Sequence, residues 1–200
     1  MAKFKIYTKD KKFYVTDNKL YLVQVILLTP GLIHLIFFKD KEYHNLEVSL
    51  LWISLIYMII SMFLNWTSFA RYRPLEGKIE GEIILSEEEI LIENEVIKIK
   101  DIKNIEITND DFLNFMKSYN KYVMLGRKSY GVENEIKITL INGKLYKINY
   151  QQDQNHDMQE CKELLKLYFK KGIISLENLM YVLGIVEVEE KTEFKKSLEI

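Results

Sequence analysis

The sequence predicts an α+β chain in which an N-terminal transmembrane helical hairpin precedes an antiparallel β domain capped by a C-terminal amphipathic helix. Three observations predict it. Two long stretches carry no charged residue, closely spaced short β-type runs begin at Gly77, and apolar residues recur at helical spacing between residues 158 and 169. The bulk numbers conceal this pattern. Over 200 residues the formal net charge is −1, so there is no global drive toward nucleic acid. The single cysteine, Cys161, cannot form an intramolecular disulfide, and no C-x-x-C or Cys/His cluster points to zinc.

Nineteen uncharged residues lie between Lys19 and Lys39, and twenty-three more lie between Glu47 and Arg71. A bilayer core takes about 20 predominantly apolar helical residues, so the expected spans are residues 20–38 and 48–69, within a hairpin over 20–70. The competing reading is a pair of helices buried in protein. It is weighed down by the second stretch, which is apolar all round apart from Ser49, Ser54 and Ser61. The first stretch carries Gln24, Pro30-Gly31 and His34. A kink is expected at the Pro-Gly pair. Gln24 and His34 are candidate intramembrane polar residues, either bonding across to the second helix or serving a ligand or proton.

Orientation follows from the basic residues. Lys3, Lys5, Lys9, Lys11, Lys12 and Lys19 precede the first stretch, Arg71, Arg73 and Lys78 follow the second, and the connection between them has only Lys39 and Lys41. Both termini are therefore expected to be cytoplasmic, with residues 1–19 as a basic cytoplasmic segment. Trp52, Trp66, Tyr21 and Tyr72 suit interfacial positions. The opening lacks the pattern of a cleavable signal peptide.

From Gly77 the pattern changes. Residues 79–85, 90–92, 96–99 and 102–107 read as four short strands, with Ser86-Glu87-Glu88-Glu89 and Glu93-Asn94-Glu95 as breaks. Residues 135–150 give the clearest element. Asn142-Gly143 marks a hairpin, and parity chooses its register. A three-residue loop pairs Ile138 with Tyr146 and Ile136 with Ile148, which puts both apolar sets on one face. A type I turn with a bulge at a left-handed Gly143 is expected. Met158, Cys161, Leu164, Leu165, Tyr168 and Phe169 then form one apolar face of a helix ended by Lys170-Lys171-Gly172. Cys161 on that face reads as core, not nucleophile. A shorter helix is expected from Ser175 as N-cap to Gly184, burying Leu176, Leu179, Met180 and Leu183. The charged tail after Val186 is expected to be loosely held.

Gly81-Glu-Ile-Ile-Leu85, Ile90-Leu-Ile92, the run from Ile97 to Ile105, and the hairpin plus helix from Ile136 to Phe169 together resemble the pleckstrin-homology-like domain of bacterial membrane proteins. Relatives of that kind carry a two-helix membrane hairpin just before the domain. The resemblance covers residues 77–172 and leaves 173–200 as a short helix and charged tail. It implies a sandwich or partly open barrel plugged by the helix, at the bacterial inner membrane as a multi-pass protein. It implies no single function. Ser86-Glu87-Glu88-Glu89 occupies the loop where phosphoinositide-binding relatives place Lys and Arg, so that ligand is disfavoured.

No phosphate-cradling loop, nucleophile elbow or metal-binding His pair occurs. His34, His44 and His156 lie in different segments, and Asp110-Asp111 reads as a turn or cap pair. No enzyme activity, cofactor or metal is expected. The candidate binding loop is 116–131, where Lys121, Arg127 and Lys128 interleave with Tyr122 and Tyr130. Lipid headgroups or a protein suit it better than nucleic acid. The expected function is a membrane-anchored, non-catalytic cytoplasmic interaction module, as a protein scaffold or toxin neutraliser, with the bilayer and a protein as partners. The alternative is an oligomeric small-molecule or ion-handling membrane protein.

Overall fold

A computed structural model of the chain describes residues 1–10, 22–23, 25–26, 29, 44–117, 126–155 and 157–198. The chain divides into two units, one of residues 1–11, 75–115 and 129–200, the other of residues 12–74 and 116–128.

In the first unit, strand β1 (Ala2–Lys9) alternates buried Ala2, Phe4 and Ile6 with outward lysines. It is followed in that unit by β2 (Gly77–Leu85), β3 (Glu89–Ile92), β4 (Glu95–Lys98) and β5 (Ile102–Thr108). After β6 (Leu113–Lys117) and β7 (Arg127–Tyr130), which make a separate two-stranded ribbon, come β8 (Asn134–Leu140) and β9 (Leu145–Tyr150). The seven-stranded sheet has the order β4-β3-β2-β1-β9-β8-β5, and its strand pairs are antiparallel. Residues 1–10 are thus not a basic tail. They supply the middle strand of the sheet, pairing with β2 on one side and β9 on the other.

The sheet is rolled. Strands sit about 4.8 Å apart, so β4 and β5 would lie roughly 29 Å apart in a flat seven-stranded sheet. Yet they are joined by the single 3-10 turn Ile99–Asp101, and a chain from residue 98 to 102 reaches at most roughly 14 Å. Ile99 N donates to Glu88 O at 2.8 Å and Ile141 N donates to Asp101 O at 2.9 Å, extending the β3–β4 and β5–β8 ladders into that turn. Side chains then bond across the mouth. Lys144 Nζ meets Glu95 Oε1 at 3.0 Å, and the Tyr146 hydroxyl donates to the same oxygen. The roll encloses Ile83, Leu85, Ile90, Ile105, Ile107, Ile136 and Ile138, all buried.

The β8–β9 hairpin has the expected register, Ile136↔Ile148 and Ile138↔Tyr146. Gly143 stands at φ 86°, and its N–H donates to Leu140 O at 3.0 Å. In β5 a register shift between Ile102 and Asn104 lets Ile102 and Ile105, three apart in sequence, both turn inward. Helix α2 (Lys162–Lys170), entered through the 3-10 turn Asp157–Cys161, buries Leu164, Leu165 and Tyr168. The Tyr168 hydroxyl donates to Ser86 O at 2.7 Å.

Helix α3 (Leu176–Val182) is capped by Ser175 Oγ, which accepts from Asn178 N at 3.1 Å. It closes the β5 edge. Ile105 N donates to Ile173 O at 2.6 Å. The Asn178 side chain takes both the N–H and the C=O of Ile107, at 2.9 and 2.8 Å. An open strand edge would otherwise template pairing with another chain. The charged tail is ordered, contrary to expectation. Helix α4 (Val188–Ser197) holds itself by burying Phe194, with Leu198 just beyond.

In the second unit, helix α1 (His44–Trp66) is followed by the 3-10 turn Ser68–Ala70. No Gly or Pro interrupts residues 44–73. The predicted transmembrane hairpin requires correction: among the described residues no helix is long and apolar enough to cross a membrane. Freedom from charge is necessary for a span, but a helix covered by protein meets the same condition. The apolar run in α1 is bounded by Glu47 and Asn65 and interrupted by three serines. Of the first stretch only residues 22, 23, 25, 26 and 29 are described. The fold retains the predicted α+β class and antiparallel sheet, without the hairpin. The multi-pass inner-membrane placement and the membrane assignment fall with it.

Two outcomes are expected. Asp10 N donates to Glu76 O at 2.9 Å, so residues 1–10 joined by a short glycine linker to residues 76–198 should unfold cooperatively in urea. A fragment beginning at Gly77 should not. Cooperative unfolding of that fragment would show β1 to be dispensable. Second, burial pushes the hydroxyls of Tyr150 and Tyr168 well above the ordinary tyrosine value. Burial and then the Asp110 carboxylate push Tyr181 up to about 12. These groups hold their protons longer in the folded state, so stability is full below pH about 10 and is lost as pH rises toward about 12. Urea midpoints measured across that range should fall, and a flat profile would contradict the burial of these hydroxyls.

Candidate functional site

In α1, Trp52, Ile56, Ile59, Phe63 and Trp66 recur at spacings of four and three, and all are 55 to 72% exposed. Ser54 is buried, and Tyr57 and Ser61 are half-buried. Ile53, Leu55, Met58, Ile60, Met62 and Leu64 are exposed as well, so α1 presents large apolar side chains on several faces, unlike a water-facing helix. Within that exposed surface, the four-three repeat of Trp52, Ile56, Ile59, Phe63 and Trp66 is the pattern by which one helix receives the side chains of another.

The helix ends in a basic and aromatic group. Lys128 N donates to Arg71 O at 3.1 Å and Arg73 N donates to Lys128 O at 3.0 Å, pairing Tyr72 with Lys128 in parallel. This brings Arg71, Arg73, Arg127 and Lys128 together. Lys128 Nζ lies 5.8 Å from the centre of the Tyr72 ring, within cation–π range. Arg71 Nη2 donates to the Leu64 carbonyl and to Thr67 Oγ1 at 3.2 Å, satisfying the helix end, while its Nε is buried without a hydrogen-bond partner among the described residues.

Of the residues singled out in the sequence, Arg127 and Lys128 thus stand in β7 beside a partner segment, residues 71–73, that the sequence does not connect to them. Lys121 and Tyr122 lie outside the described residues, as do Gln24 and His34. Nothing but the Arg-Tyr-Arg composition of 71–73 hinted at a role beyond flanking a span.

The Asp110-Asp111 pair proves unequal. Asp111 is buried, where its Oδ2 accepts from Ser129 Oγ at 2.6 Å and from Glu133 N at 3.0 Å. Asn134, also buried, accepts from Asp111 N at 2.9 Å and donates to Asp111 O at 2.8 Å and Gly131 O at 2.9 Å. Gly131, at φ 70°, has Gln152 O only 2.2 Å from where a Cβ would stand, so a side chain there has no room. Asp111 Oδ1 is buried with no hydrogen-bond partner among the described residues. The rest of the cluster bonds mostly to backbone groups and holds the ends of β8 and β9 in place.

An open groove of about 570 Å³ runs past Lys3, Lys5, Glu82, Asp153, Asp157 and Glu160. Three of its charged side chains are engaged. Lys3 pairs with Glu82 at 2.7 Å, and Asp157 Oδ2 accepts from the N–H groups of Asp153 and Gln154 at 2.8 and 3.0 Å. Cys161 also lines it, its thiol pushed up by burial and so held in its unreactive form. Among the described residues no group of three or more His, Cys, Asp or Glu is placed to hold a metal.

No protein-family model matches the chain. No curated protein and no solved structure matches it.

Asp111→Ala would strand the Ser129 hydroxyl and the Glu133 N–H in the interior. The expected loss of stability is about 1 to 3 kcal/mol, read as a lower urea midpoint with an unchanged slope. A change below about 0.5 kcal/mol, the range of ordinary surface substitutions, would show that the carboxylate is not needed there.

Proposed function

We propose that the protein is a non-catalytic interaction module that receives a helix of a protein partner against the exposed stripe of α1. One observation carries this reading: Trp52, Ile56, Ile59, Phe63 and Trp66, at four-three spacing, are all exposed. Exposed apolar patches of this kind mark interaction surfaces. The first unit supports the reading from another direction. The buried side chains of Asn109, Asp111, Ser129 and Asn134 bond to backbone or to one another, as in a scaffold. The rolled sheet with α2 packed into its core is in keeping with the resemblance to pleckstrin-homology-like binding domains. In that resemblance the acidic β2–β3 loop is the phosphoinositide position, and here its Ser86 and Glu87 carbonyls are taken by Tyr168 and Lys171.

The test is a photo-crosslinking residue in place of Ile59 in the full chain, in cells. The expected product is a crosslink to an apolar helical segment of a protein. Ile56→Glu with Phe63→Glu should abolish it while leaving the urea midpoint of the first unit unchanged. Crosslinks to lipid alone, or a product indifferent to the two glutamates, would overturn the reading.

A further inference from the structure

We infer that the helix received by α1 is the α1 of a second copy of this chain, packed antiparallel about a two-fold axis that passes between Ile56 and Ile59. This rests on α1 being the receiving surface and adds the identity and direction of what covers it. At about 100° per residue, the stripe of Trp52, Ile56, Ile59, Phe63 and Trp66 centres on the side of α1 opposite buried Ser54 and half-buried Ser61. It is the part of the exposed apolar surface turned furthest from the face on which Ser54 is covered.

A two-fold contact must complement itself: where one residue meets a second, the second meets the first across the axis. The stripe meets this condition with the axis between Ile56 and Ile59. Each Ile56 then stands opposite the other copy's Ile59, and each Trp52 opposite the other copy's Phe63. Trp66 falls opposite Ser49, a large side chain against a small one. A parallel pair would set Trp52 on Trp52 and Trp66 on Trp66, crowding the bulkiest side chains into the same layers. The antiparallel pair spreads that bulk. It also places the N-terminal end of each helix beside the C-terminal end of the other, where their opposite partial charges attract.

The residues beside the stripe favour a second copy over a different helix. In paired helices the flanking positions commonly carry Glu and Lys, whose salt bridges choose the partner. Here those positions are Ile53 and Ile60 on one side and Leu55 and Met62 on the other, all exposed. They carry no charge code that would select a foreign helix, and two identical apolar surfaces need none. No charged residue lies between Glu47 and Arg71, so the pairing brings no like charges together along the stripe. The area suffices. Trp52, Phe63 and Trp66 are 60, 60 and 72% exposed and offer roughly 300 to 500 Å² per copy, over a third of the about 800 Å² per partner of a stable interface. The isoleucines of the stripe and the flanking residues bring the contact to that size.

The test uses the full chain carrying Cys161→Ala, so that introduced cysteines are the only ones. A chain with Trp52→Cys and a longer-tagged chain with Phe63→Cys are co-expressed and oxidised. They should give a disulfide-linked pair of unequal chains. Either variant alone should give little, because the two copies of residue 52 would lie about 16 Å apart along the axis, beyond disulfide reach. Sedimentation of the unaltered chain should show an even number of copies. Ile56→Glu with Ile59→Glu should shift it to the monomer and leave the urea midpoint of the first unit unchanged. A disulfide formed as readily by Trp52→Cys alone would overturn the direction. A monomer whose position 59 still crosslinks to a helix of another protein would overturn the second copy and leave the receiving surface standing. A monomer with no crosslink to any helix would overturn both.

Discussion

The sheet depends on one pairing, that of β1 with β2 on one side and β9 on the other. In the strand order β4-β3-β2-β1-β9-β8-β5, short turns link β2, β3 and β4, a hairpin links β8 and β9, and β5 follows β4 through one 3-10 turn. Between β2 and β9 there is only β1, brought from more than sixty residues away in sequence. Closing so long a loop costs entropy that grows only slowly with its length, so the arrangement is affordable if β1 buries enough. Ala2, Phe4 and Ile6 are buried, and the Phe4 ring stands edge-on to Tyr150 at 5.2 Å. The roll follows from the pairing. With β1 in place the two halves curve until the single turn Ile99–Asp101 spans the outer strands.

Local chemistry made some of this legible in the sequence. The β8–β9 hairpin was readable because Asn142-Gly143 and the parity of Ile136, Ile138, Tyr146 and Ile148 fix register within a few residues. Helices α2 and α3 were readable from apolar spacing and from Ser175 and Gly184. Other elements obeyed a rule but were outvoted. Ala2, Phe4 and Ile6 alternate with Lys3 and Lys5 as a half-buried strand should, yet the lysines were read as a basic tail. Helix α4 has only Phe194 and then Leu198 to bury, too few to draw a stripe through a charged segment. The Asp111 cluster was out of reach, because adjacency to Asp110 says nothing of a bond to Ser129 or Asn134.

The candidate site shows a different limit. The spacing of Trp52, Ile56, Ile59, Phe63 and Trp66 is in the sequence, but so are apolar residues on every other side of α1. From composition, such a segment answers equally to a bilayer or to protein. What the structure adds is that these side chains are exposed, a property of packing. The Arg71–Arg73 and Arg127–Lys128 segments are joined only by backbone bonds between distant parts of the chain.

The two units therefore follow opposite burial rules, and that contrast carries the functional reading. The first unit satisfies itself. Its apolar faces are turned into the roll, and its open β5 edge is taken by Ile173 and Asn178. In the second unit α1 keeps Ser54 inside and presents Trp52, Phe63 and Trp66 outward. Stability within the chain gains little from this, since a buried Ser contributes less than a buried Trp. Under the proposed function that apolar area is committed to a partner helix, whereas the sheet is specified by what it encloses.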